Sequence, residues 1–254
     1  MKYITFTTKG SVRLCENFLL SARNVGIEND VTVYCLDKES FDVINLNYSC
    51  TTKLFPVDVS DEFHEYGKDG FRRVTEAKIQ IILNALQDNQ SLVYSDCDVV
   101  FKENPTELIL AGDELINKKY NVDIYFSSDH PHMNICTGFM YIKNTEKVHS
   151  LFKKYFELSS LYGKQISSYM YDQEIINEIL TNGLLKEKIV WSIYPPTFVV
   201  NGDLYWNEPL DKGNYEYRTG NETVIHCNFV IGEENKINRL KEANLWYVKE
   251  EIIS

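Results

Sequence analysis

Asp96-Cys97-Asp98 closes the apolar run Leu92-Val93-Tyr94. In an extended backbone successive side chains take opposite faces, so Asp96 and Asp98 are expected to point one way and Cys97 the other. Two carboxylates at a strand end form a hard oxygen site suited to Mg2+ or Mn2+. Such an ion can neutralise a diphosphate. His226 ends a second β-rich run, Thr223-Val224-Ile225, and is followed by Gly232 and Lys236. A lone histidine is more often structural than catalytic. This one sits at a strand end, near a glycine that permits close backbone approach and a lysine one turn into a helix. A histidine with two aspartates is a plausible Mn2+ ligand set.

Three further features carry chemical groups. Lys78 lies on the apolar face of its helix, four residues after Val74 and four before Ile82. A lysine there either covers apolar surface with its stem and keeps its head in water, or places a cation near a ligand. Asp172-Gln173 opens a helix, where Asp is an ordinary cap. Asn134-Ile135-Cys136-Thr137-Gly138 reads as a loop of hydrogen-bonding groups before a strand, in its simplest form a turn.

The elements that position these groups follow from periodicity. Strands are expected at Tyr3–Thr7, Val31–Leu36, near Leu54–Val57 and at Leu92–Ser95, and helices at Val12–Val25 and Phe71–Asp88. This strand-helix alternation predicts an α/β fold, with ligands at the carboxyl ends of a mostly parallel sheet. The second half reads as strands Asp123–Ser127, Gly138–Ile142, Ile189–Ile193 and Thr223–His226. Its helices are Thr145–Ser160, Asp172–Leu180 and Glu234–Trp246.

The 254 residues are 44% hydrophobic, enough for one α/β domain, and no linker divides them. The net charge of −11 and the lack of a basic stripe argue against a nucleic-acid partner. An acidic protein still binds an anionic nucleotide where a metal and a few local cations supply positive charge. The six cysteines form no CxxC pair, which argues against a zinc ribbon. Met1–Phe6 reads as a strand rather than a secretory signal, and no 18-residue apolar stretch is present, so a cytoplasmic protein is expected.

The aspartate pair has two other readings. A calcium loop counted from Asp96 needs glycine where Phe101 stands. A haloacid-dehalogenase-type phosphohydrolase has a motif similar to Asp96-Cys97-Asp98-Val99-Val100, but that motif usually opens the domain. Its later acidic position falls here on Asn207. That reading also gives His226 and Lys236 no role.

In order and spacing the motifs resemble a GT-A-fold nucleotide-diphospho-sugar glycosyltransferase, most like glycosyltransferase family 77 with kinship to the glycogenin-like family 8. The pieces that match are Lys78; Leu92 through Phe101 with Pro105; Asp123-Ile124 and Asp129; Asn134 through Gly138; Asp172-Gln173 with Asn177; Phe198 and Gly202; and His226-Cys227-Asn228 through Gly232 and Lys236. They span roughly residues 70 to 240.

The resemblance implies one Rossmann-like domain over residues 1–254, with residues 1–100 as the nucleotide-binding half and 101–254 as the acceptor and sugar half. It implies Mn2+ (or Mg2+) held by Asp96, Asp98 and His226, and a nucleotide-sugar donor, UDP-linked. Lys236 and the Gly232 backbone would contact phosphate oxygens, Lys78 the nucleotide, and Thr7 and Thr8 the base. Asn134, Thr137 and Gly138 would line the donor site, with Asp129, Asp172 and Gln173 as the catalytic set around the sugar. The reaction would be retaining transfer to a hydroxyl of a glycan, protein or lipid-linked sugar. It would proceed through attack by Asp172 or through same-face entry of the acceptor. Tyr194, Tyr205 and Trp206 would be available to stack on acceptor rings. A non-catalytic nucleotide-sugar-binding protein is the third alternative.

Overall fold

The computed structural model describes residues 1–57, 71–129, 134–162, 170–207 and 222–249. The elements in chain order are β1 (Tyr3–Thr7), α1 (Val12–Asn24), β2 (Val31–Cys35), α2 (Lys38–Asn47), β3 (Thr51–Leu54), α3 (Phe71–Leu86) and β4 (Ser91–Ser95). They continue with β5 (Val99–Phe101), α4 (Thr106–Asn117), β6 (Ile124–Asp129), β7 (Asn134–Lys143), α5 (Glu146–Tyr162) and α6 (Asp172–Thr181). The last are β8 (Trp191–Ile193), β9 (Val199–Asn201), β10 (Val224–His226) and α7 (Glu233–Glu242).

The main sheet has the order β3-β2-β1-β4-β7-β6-β8. β1 pairs in parallel with β2 and β4, β2 with β3, and β6 with β8; β7 runs antiparallel to both its neighbours. The expected α/β class with a mostly parallel sheet is therefore the observed one. The inner strands β1, β2, β4, β6 and β7 are buried along nearly their whole length because both faces of the sheet are covered there. In β4, Leu92 and Tyr94 face the cluster built with Ile79 and Ile82 of α3, Leu151 of α5 and Ile175 of α6. Val93 faces the opposite cluster, with Phe18 and Leu19 of α1, Ile44 of α2 and Ile109 of α4.

A second, small sheet has the order β5-β10-β9, and α7 packs on it through Ile237 and Leu240. β10 runs antiparallel to β5, with His226 opposite Val99. This pairing brings the end of β10 beside the aspartate pair, although the two are far apart in sequence.

Several expectations shift. Asp96-Cys97-Asp98 is not extended backbone. It is the turn between β4 and β5, closed by Val99 N–H donating to Asp96 O at 3.3 Å. The turn, not the pleat, sets the two carboxylates side by side. Asn134 through Gly138 is not a loop but the first half of β7: Asn134, Ile135 and Cys136 pair with Asp129, Ser128 and Ser127 of β6, and the Gly138 carbonyl accepts from Asp96 N–H at 2.8 Å. β3 begins at Thr51, ahead of the expected Leu54. Among the described residues no helix is long and apolar enough to cross a membrane.

Candidate active site

The site forms where β1 and β4 end and the small sheet abuts them. A cavity of about 620 Å³ opens there, within the range of a ligand pocket. Its lining includes Thr8, Lys78, Asp96, Asp98, Asp129, Thr137, Gly138, Asp172, Gln173, His226, Gly232 and Lys236. The sequence thus named most of the polar wall. Two expected residues are not on it. Thr7 is fully buried, and its hydroxyl donates to Thr8 O at 3.2 Å and meets Ser11 Oγ at 3.0 Å. Its hydrogen bonds shape the turn after β1. Asn134 is exposed at the start of β7, outside the lining.

Asp96, Asp98 and His226 each offer a ligand atom within 4.8 Å of one another. His226 Nε2 lies 3.2 Å from Asp98 Oδ1 and 3.7 Å from Asp96 Oδ2. Gly138 passes directly behind them. A Cβ there would sit 2.1 Å from His226 Cε1 and 2.8 Å from Asp96 Oδ2, so only glycine leaves the space. Two hard carboxylates and an imidazole, converging on a gap kept free of side chain, fit a divalent cation of the Mn2+ or Mg2+ type.

Charge is tightly compensated. Burial would raise Asp98, but the Lys236 ammonium and His226 overcome it and hold this carboxyl well below the usual range. Burial would lower His226, and Asp98 instead pushes it up to about 10. Lys236 Nζ bonds both Asp98 Oδ2 and the carbonyl of Cys227, the latter at 2.9 Å. Gly232, at φ 87°, begins α7 and turns the chain so that Lys236 reaches inward.

The second charged group centres on Lys78. Its ammonium is buried, 2.8 Å from Asp172 Oδ2 and 3.3 Å from Asp96 Oδ1. It also donates to Thr137 Oγ1 at 3.2 Å, and that hydroxyl donates to Asp172 Oδ2 at 2.7 Å. Burial disfavours the charge, but Asp172 and Asp96 outweigh it and raise Lys78. Of the two readings of this lysine, the buried cation is the observed one. Gln173 Nε2 donates to Asp129 Oδ2 at 3.1 Å, which ties the start of α6 to the end of β6.

Sequence reasoning missed part of the wall. Phe6, Ser11 and Leu14 line it from β1 and α1, and Phe71, Val74 and Thr75 from α3. The helical face of α3 was legible, and one more residue along it would have pointed to Thr75. Asn228 pins the loop after β10 by accepting from Gly202 N–H at 2.7 Å. Beyond it Phe229 takes a left-handed φ of 57°, a cost of about 1–2 kcal/mol for a side chain of this size, and lines the cavity. Tyr194 packs instead against Tyr125 and Phe198, away from this cavity, and Tyr205 and Trp206 pack on the cluster around Val100 and Ile225.

The fold is that of the GT-A nucleotide-sugar transferases. A model of the nucleotide-diphospho-sugar transferase family matches residues 26–240, and the chain belongs to that family. Among curated proteins it is 24% identical over 260 residues to the UDP-galactose:fucoside alpha-3-galactosyltransferase of Dictyostelium discoideum, covering 87% of this chain and 39% of that protein. It is 22% identical over 247 residues to UDP-D-xylose:L-fucose alpha-1,3-D-xylosyltransferase 3 of Arabidopsis thaliana, covering 91% of this chain and 62% of the relative. The chain thus spans only part of the length of these relatives. In structure it resembles the glycosyltransferase GlyE of Streptococcus pneumoniae TIGR4, with a TM-score of 0.59 at 13% identity over 99% of this chain and 66% of the other. It also resembles the galactosyltransferase LgtC, with a TM-score of 0.55 at 14% identity over 98% of both chains.

Proposed function

We propose that the chain is a metal-dependent, retaining glycosyltransferase that moves a sugar from a UDP-linked donor to a hydroxyl of a glycan, protein or lipid-linked acceptor. The observation that carries the reading is the convergence of Asp96, Asp98 and His226 on the gap left by Gly138, in a cavity that also holds Lys78 and Lys236. Within the transferase family we place it nearest glycosyltransferase family 77, as one domain whose first 100 residues bind nucleotide. The relatives named for UDP-galactose or UDP-xylose and for fucose or fucosides favour a UDP donor and a fucose-bearing acceptor.

Breaking the anomeric C–O bond of such a donor puts charge on the departing diphosphate, and a bound Mn2+ or Mg2+ supplies its stabilisation without proton transfer. In this reading Asp96, Asp98 and His226 hold the ion. Lys236 exchanges Asp98 for a phosphate oxygen, beside the Gly232 backbone at the start of α7. Phe6, Thr8 and Ser11, at the end of β1, face the base. Asp129, Thr137, Asp172 and Gln173 surround the sugar, whose reacting carbon becomes oxocarbenium-like and is favoured by nearby carboxylate and amide oxygens.

Asp172 Oδ2 already carries both Lys78 and Thr137. A carboxylate paired in this way is a poorer nucleophile, which favours same-face entry of the acceptor, with its proton passing to the leaving phosphate oxygen. Assays of UDP- and GDP-sugars with and without Mn2+, followed by proton NMR of the product, test the proposal. The expected result is Mn2+-dependent release of UDP, a product with the donor's anomeric configuration, and no glycosyl adduct on Asp172 by mass spectrometry. No turnover together with no Mn2+-dependent nucleotide binding would overturn it.

A further inference from the structure

One buried group at the site has no part in the chemistry above. Tyr94 is fully buried in β4, two residues before Asp96. Its hydroxyl donates to Asp96 Oδ1 at 2.5 Å.

The two oxygens of Asp96 are divided between different tasks. Oδ1 takes the Tyr94 hydroxyl and lies 3.3 Å from the Lys78 ammonium. Oδ2 faces the open side, 3.7 Å from His226 Nε2 and beside the missing Cβ of Gly138. Asp98 divides in the same way, with Oδ2 on Lys236 and Oδ1 toward His226. A carboxylate turns readily about its last torsion, so this division must be imposed by partners. Asp96 is also the more exposed of the two aspartates, at 31% against 11%, and is correspondingly less confined by packing.

The Tyr94 ring is itself held rigidly. Phe6 stacks on it at 6.4 Å between centroids, and the Lys78 ammonium sits 4.8 Å from its centre. Its neighbours across the sheet are Ile4 on β1 and Met140 on β7. The hydroxyl is thus fixed by a packed ring in the centre of the sheet rather than by a loop, the kind of support that gives a ligand a defined orientation.

We propose that Tyr94 is a positioning residue for the metal carboxylate: its hydroxyl holds Oδ1 of Asp96 inward and so presents Oδ2 to a divalent cation. The inference rests on the metal reading above. Tyr94→Phe removes one oxygen and leaves the ring packing in place, so the fold is expected to survive. The measurement is Mn2+ binding to the full chain, titrated by the EPR signal of free Mn2+, with no donor and no turnover. Donor hydrolysis against Mn2+ concentration is the second readout.

The expected result is a Kd for Mn2+ raised about 10- to 100-fold, the usual cost of losing a group that orients a metal ligand. The Mn2+ concentration for half-activation should rise with it, while kcat at saturating Mn2+ stays near that of the parent. A role in packing alone would lower kcat at every Mn2+ concentration and leave the Kd in place. The inference falls if the parent binds Mn2+, Asp98→Asn loses that binding, and Tyr94→Phe binds within twofold of the parent. If the parent binds no Mn2+, either alone or with UDP, the metal reading fails and this inference with it.

Discussion

Removing the charge of Lys78 tests whether the buried ammonium is what allows Asp96 and Asp172 to coexist. Lys78→Met keeps the length and apolar character of the stem and deletes the ion. The side chains of Lys78 and Asp172 are 6% and 7% exposed, so their 2.8 Å pair is screened little by water. Breaking a buried pair by deleting one partner costs about 3–5 kcal/mol, because the other charge is left uncompensated. The Asp96 contact, at 3.3 Å and with Asp96 31% exposed, adds less. In a chain of this size that corresponds to a fall of roughly 6–20 °C in Tm. The assay is urea denaturation of the metal- and nucleotide-free protein, run as a double-mutant cycle with Asp172→Asn. The double variant should recover part of the loss, since the stranded carboxylate is gone. The reasoning is refuted if Lys78→Met lies within about 0.5 kcal/mol of the parent, or if the two substitutions simply add.

Other perturbations probe other parts of the molecule. Gly138→Ala places a Cβ 2.1 Å from the His226 ring; Mn2+ affinity by calorimetry should fall at least about tenfold, and unchanged affinity would disprove the need for that gap. Gly202→Ala would bring a Cβ to 1.8 Å from the Asn228 carbonyl, which is backbone and yields little; a loss of about 1–3 kcal/mol in denaturant melts is expected, and a neutral result would show that the loop moves freely. Glu28 accepts two bonds from Arg23 and one from Ser49 N–H. The Arg23 bonds, against the opposing effect of burial, depress its carboxyl. A depressed carboxyl stabilises above the unfolded-state value and loses that contribution as pH falls. Glu28→Gln should therefore cost about 1 kcal/mol at pH 7 and nothing measurable near pH 2, and a cost that does not shrink in acid would contradict the assignment.

Much of this arrangement was legible because it rests on side-chain type at fixed spacing. The aspartate pair, His226, Gly232 and Lys236 stood out as residues that make poor packing material at the ends of apolar runs. Lys78 stood out by breaking a helical stripe. Elements decided by tertiary pairing were harder to read. Asn134-Ile135-Cys136-Thr137-Gly138 carries loop-like residues, yet it is a central strand, and Gly138 is there for the room it leaves to His226. β5 and β9 have three residues each, too few to show a period. In α4 only Ile109 is buried, and in α2 only Ser40 and Ile44, so neither helix presents a broad apolar stripe. Thr7 ends β1 and Thr8 follows it, and no pattern in the sequence tells which of the two lines the cavity. In the aspartate pair a turn, not the strand alternation its spacing suggests, makes the two carboxylates neighbours.

The central claim is that Asp96, Asp98 and His226 form one metal centre facing a nucleotide diphosphate. Anomalous diffraction from crystals of the chain with Mn2+ and UDP tests it most directly. A single strong manganese peak is expected in contact with all three side chains, with the diphosphate between that peak and Lys236. Manganese at some other place, or UDP bound away from the aspartate pair, would contradict it.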